Sequence, residues 1–149
     1  MEVPDTMNLD ELFTKPYWVV DILPEQVPEY SDGQYSAVEQ YYLREPQLSV
    51  LRKKFSEIIL KLNCYYDISV LTDPEDEEAV ELNPRPEVLC GLFVGENAAK
   101  CVMVVVGSEN TLIVSNVDDT YMTIYNPTEH LLGLMRHIAG AEGLFVWKP

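Results

Sequence analysis

The sequence predicts an α+β fold: a single domain over residues 1–149, with a mainly antiparallel sheet of about six or seven strands, two main helices (about 46–62 and 127–139) and one or two short ones. Three observations lead there. Residues 101–125 read CVMVVV, GSEN, TLIVSNV, DD, TYMTIY, three β-rich runs broken by two short polar turns, the pattern of an antiparallel meander. Behind Pro46, the residues Leu48, Leu51, Phe55, Ile58 or Ile59, and Leu62 recur at helical spacing. Asn126-Pro127-Thr128-Glu129 then combines a capping Asn, a Pro at the first helical position and a Glu three places past the cap.

In chain order, residues 1–7 read as a flexible lead-in, and Asn8 with Glu11 makes a capping box for one or two helical turns carrying Leu9, Leu12 and Phe13. Pro16 ends them. Tyr17 to Leu23, YWVVDIL, is aromatic and β-branched and reads as a strand. Pro24, Pro28 and Ser31-Asp32-Gly33 mark a loop. Gln34 to Leu43 is ambiguous: Tyr35, Val38 and Tyr42 suit a helix, but the tyrosines alternating with small polar residues favour a strand paired with Tyr17 to Leu23. After the 46–62 helix, Cys64 to Thr72 reads as a strand and Asp73 to Glu81 as an acidic loop. Pro84 and Pro86 frame a short helix through Val88, Leu89, Leu92 and Phe93, closed by Gly95.

Within the meander, Cys101, Met103 and Val105 face one side and Val102, Val104 and Val106 the other, so this strand is apolar on both faces and belongs in the centre of the sheet, under cover on both sides. The third run sets Met122 and Ile124 against Tyr121, Thr123 and Tyr125, which places it nearer an edge and half wet. The last helix buries Leu131, Leu134, Met135 and Ile138 and stops at Gly140 and Gly143, and Leu144 to Lys148 ends the chain as a strand.

A chain of 149 residues can bury a core without staples. The acidic opening lacks an apolar leader, and the three cysteines, Cys64, Cys90 and Cys101, form no CxxC pair, which together point to reduced thiols and a cytoplasmic location. The formal net charge of -15 argues against nucleic acid and anionic membrane, both of which would be repelled, and in favour of a basic protein partner. Charge is also polarised. Residues 1–45 hold ten acids against Lys15 and Arg44, whereas the 46–62 segment carries Arg52, Lys53, Lys54 and Lys61, expected to face water or a partner, against Glu57.

No catalytic or ligand-binding motif rises above chance, so no catalytic residue, cofactor or metal is assigned. His130 and His137, seven apart, share an azimuth but are separated by roughly 10 Å along a helix, too far for one ion. The acidic run at 73–81 has Pro and Glu where a calcium loop has its second residue and its Gly. Asp118-Asp119 suits a tight turn for backbone reasons. What remains is aromatic. Adjacent strand residues point to opposite faces, so Tyr41-Tyr42 and Tyr65-Tyr66 each expose one ring, and Tyr41, Tyr66, Tyr121 and Tyr125 become the candidate interaction surface. The leading expectation is a non-enzymatic module that binds a basic protein, as an inhibitor, antitoxin or immunity protein does. The alternative is a small-ligand binder or enzyme with a pocket beside the central strands, using Cys101, His130 or His137.

Overall fold

Consecutive β-branched side chains favour a pleated strand, and in Cys101–Val106 they place apolar surface on both faces at once. The computed structural model describes residues 9–72 and 80–149. Over these the order is α1 Leu9–Leu12, β1 Tyr17–Asp21, α2 Asp32–Tyr42, α3 Gln47–Asn63, β2 Ser69–Leu71, β3 Glu81–Leu82, α4 Pro86–Phe93, β4 Cys101–Val106, β5 Thr111–Asn116, β6 Tyr121–Tyr125, α5 Glu129–Ala141 and β7 Phe145–Trp147. The strands form one antiparallel sheet in the order β3-β2-β4-β5-β6-β1-β7. The meander is β4-β5-β6, with Val104 opposite Ile113 and Ile113 opposite Ile124.

The two faces are covered unequally. On one, Val20, Val70, Val102, Val104, Val106, Ile113, Met122 and Ile124 pack beneath α3, α4 and α5, which contribute Phe55, Ile58, Ile59, Leu89, Phe93, Leu131 and Met135 among others. On the other, Leu71, Met103, Val105, Leu112 and Val114 form a smaller cluster closed by Leu12 of α1. A helix of four residues is about 6 Å long. Among the described residues its contacts reach β5, and on β6, β1 and β7 the same face opens into a groove beside Tyr35 of α2.

Several expectations are corrected. Residues 34–43 are helical, as α2. Both edges of β1 are already taken, by β6 and β7, so no place remained for a third partner strand, and the 3.6-residue spacing of Tyr35, Val38 and Tyr42 prevailed. No residue of α2 is buried. The strand expected from Cys64 contracts to β2, because the Tyr65 and Tyr66 amides turn back to Leu62 O at the end of α3. Neither tyrosine pair therefore lies in a strand. β6 is no near-edge strand but fifth of seven, and what wets Tyr121, Thr123 and Tyr125 is the thin cover on their face. Thr128, not Asn126, caps α5, its hydroxyl accepting the Leu131 N–H at 3.2 Å, while Asn126 has a left-handed φ of 59° that a cap residue cannot use. The helix continues through Gly140 and breaks at Gly143, whose φ is 77°. The lead-in over 1–7, the capping Asn8 and most of the acidic loop lie outside the described residues; Glu81, at that loop's end, pairs with Val70 in β3.

Arg52 departs furthest from expectation, with 1% of its surface exposed. Its Nε donates to Phe93 O at 3.4 Å and one terminal nitrogen donates to Ser115 Oγ at 2.5 Å, and the guanidinium lies 4.9 Å from the centre of the Phe93 ring. It sits at the carbonyl end of α4, where partial negative charge favours a cation. Burial still pulls its pKa down to about 10, so it remains charged at neutral pH.

The unequal role of the helices is measurable. Phe55→Ala, in the fully covered core, is expected to cost about 3–5 kcal/mol in chemical denaturation. Val38→Ala, on α2, is expected to change stability by less than about 0.5 kcal/mol. Equal losses would mean that α2 is part of the core.

Candidate functional site

Alternation along the thinly covered strands builds a groove. Tyr17, Val19 and Asp21 of β1 point the same way, and the antiparallel register sets them opposite Tyr125, Thr123 and Tyr121 of β6. On the outer side Val19 faces Trp147 of β7. Phe13, just past α1, and Tyr35 of α2 close the rim, and the resulting trough has a volume of about 420 Å³. Its rings touch one another. Phe13 meets Tyr125 edge-on with centroids 5.1 Å apart, and Tyr17 lies 5.6 Å from Tyr125. Phe13 and Tyr17 are exposed.

A second cavity of about 290 Å³ adjoins it, sharing Asp21, Tyr35 and Trp147, and its wall adds Glu25, Glu29 and Asp32 from the loop and the start of α2. Among the described residues no Lys, Arg or His lines either cavity. Burial raises the hydroxyl pKa of Tyr35, and the charges of Glu39 and Asp21 raise it further; Tyr35 Oη donates to Glu39 Oε2 at 3.4 Å. The Tyr121 hydroxyl is likewise pushed up by burial first and then by Asp119, with Tyr35, Asp21 and Glu39 adding to it. These groups sense one another, and every charge among them is negative.

Asp21 lies where the cavities meet, 7% exposed. Its Oδ1 accepts the Ile22 N–H at 2.7 Å and its Oδ2 accepts the Trp147 indole N–H at 3.2 Å. Desolvation raises its pKa and outweighs these hydrogen bonds, which pull the other way. No ion pair among the described residues includes it.

Of the four candidate tyrosines, Tyr121 and Tyr125 come together in this groove. Tyr41 stands on the other side of α2, edge-on to Tyr42 and beneath Arg44, at a separate apolar groove of about 360 Å³ that includes Val50 and Lys54. Tyr66 stands at the far end of the sheet beside His130, on the wall of a larger polar cavity of about 490 Å³. The polar groups around that cavity are largely spent on each other. Asn83 accepts from Asn63 Nδ2 and the Ile68 N–H and donates to Asp67, held by a φ of 44°. Cys101 opens β4 at the end opposite the Gly107 turn, and His130 lies near that turn, so roughly 17 Å of strand separates them. Burial raises the Cys101 thiol pKa, and His137 is exposed on α5. Among the described residues no grouping of His, Cys, Asp and Glu can hold a metal, and no helix is long and apolar enough to cross a membrane.

Sequence reasoning overlooked Phe13, Tyr17, Asp21, Tyr35 and Trp147. One signal was available: Asp21 is a lone charge inside the apolar run YWVVDIL, in step with Tyr17 and Val19. No family model, no curated protein and no solved structure matches this chain.

The Asp21 carboxyl makes the groove sensitive to pH. The native state keeps that proton to higher pH than the unfolded chain, where the value is near 3.8. Between the two values the native state binds more protons, so stability falls as pH rises through that window, and the cost is fully present above it. Asp21→Asn removes this contribution. The stability of the variant minus that of the wild type is therefore expected to increase as pH rises from about 3 through the carboxylate range, measured by urea unfolding. A pH-independent difference would contradict it.

Proposed function

We propose that this chain is a non-enzymatic interaction module of the cytoplasm, which docks a basic protein on the open side of its sheet as a small inhibitor, antitoxin or immunity protein does. The observation that carries the reading is the pair of joined cavities: one walled by aromatic rings, the other by carboxylates, with no cationic side chain among the described residues lining either. Tyr and Trp supply rigid amphipathic contact area, and an uncompensated negative field steers a basic partner toward it. The net charge of -15 acts in the same direction, and the three free cysteines accord with a reducing compartment.

A small cationic ligand is the second reading, since a groove of about 420 Å³ falls within the range of small-molecule sites. The trough is open along the sheet, however, which suits an extended segment better than a molecule that must be enclosed.

The test uses a peptide alternating basic and apolar residues, its acidic counterpart, and calorimetry at low and high salt. The basic peptide is expected to bind, more weakly as salt rises, and the acidic one not to bind. The double variant Glu29→Lys, Asp32→Lys is expected to weaken binding by about tenfold or more, and Glu96→Lys, away from the groove, to leave it nearly unchanged. Equal binding of both peptides, or indifference to the double reversal, would overturn the reading.

A further inference from the structure

Asp21 is a buried charge without a counter-ion. Buried carboxylates are paired, bound to metal or neutralised, because leaving water unpaired costs several kcal/mol. Here the two oxygens offer about four lone-pair directions. Against them stand the Ile22 N–H, the Trp147 indole N–H and the nearby Leu23 N–H, all neutral donors. At least one direction remains, at the junction of the two cavities, which Tyr35 and Trp147 both line.

What fits such a place is planar, cationic and weakly hydrated. A guanidinium stacks on aromatic rings, forks its N–H donors onto a carboxylate and gives up its water more readily than an ammonium does. A lysine would bring a compact, strongly hydrated charge into a place where burial already opposes the carboxylate's ionisation. Resting on the docking reading above, we infer that this junction is an arginine pocket: one arginine side chain of the basic partner enters between Tyr35 and Trp147 and becomes the counter-ion of Asp21. The remaining groove, toward Tyr125 and Phe13, takes the neighbouring apolar residues of the same segment.

Three peptides test this, identical except for arginine, lysine or citrulline at the basic positions, with arginine amide as a fourth probe, all by calorimetry on the full chain. The arginine peptide is expected to bind about tenfold tighter than the lysine peptide, and the isosteric but neutral citrulline peptide to bind more weakly than either. Asp21→Asn is expected to bring the arginine and lysine affinities together by weakening the former. Should that variant fold poorly, Tyr35→Leu, on a helix with no fully buried residue, is expected to narrow the same gap through lost stacking. Equal affinities for arginine and lysine peptides, or a preference untouched by both variants, would overturn the arginine pocket while leaving the docking groove standing. Absence of binding by every peptide would overturn both. Arginine amide alone binding as tightly as the peptide would overturn the assignment to a protein side chain.

Discussion

The double-sided burial of β4 is the constraint from which the rest of this molecule follows. Val102, Val104 and Val106 on one face and Met103 and Val105 on the other all have to leave water, so the sheet must be roofed twice. Three helices suffice for one roof. On the other face, among the described residues, a four-residue helix lies over the cluster of β2, β4 and β5, with Tyr125 of β6 at its margin. The aromatic groove lies on the remainder of that face. Its rings are partly shielded by one another and its polar atoms still reach solvent, a compromise that tyrosine and tryptophan make better than aliphatic residues.

Two buried charges of opposite sign never meet. Arg52 lies under α4 on the helix-covered side, and Asp21 lies on the open side, each hydrogen-bonded to neutral partners alone. Their surroundings differ in a way that matters. Arg52 is enclosed by Phe93 and the sheet, with one terminal nitrogen buried without a hydrogen bond, and a helix end supplies a compensating dipole. Asp21 opens onto two cavities. Among the described residues, a buried carboxyl without an ion-pair partner thus lies on the part of the sheet that the helices leave open.

Much of the scaffold was legible because it is local. The meander declares itself through period-two alternation and polar turns, and α3 through a stripe repeated over four turns. Expectations failed where distant parts of the chain decided the outcome. β1 slots between β6 and β7, and that insertion alone forbids residues 34–43 from joining the sheet beside it. The guanidinium of Arg52 is buried by a carbonyl 41 residues away, which no periodicity records. The groove is the extreme case. It assembles residues from the amino-terminal turn, β1, α2, β6 and β7, so of its rings only Tyr121 and Tyr125, neighbours within one strand, could be paired in advance.

The short α1 links the smaller core to the open groove. Leu12 stoppers the smaller core, and the very next residue, Phe13, leans on Tyr125 at the rim of the trough. One peptide bond therefore joins the plug of that core to the wall of the trough. If the trough docks a partner, pressure on the Phe13 ring is felt one residue away at Leu12, so that occupancy of the trough and closure of the smaller core are coupled.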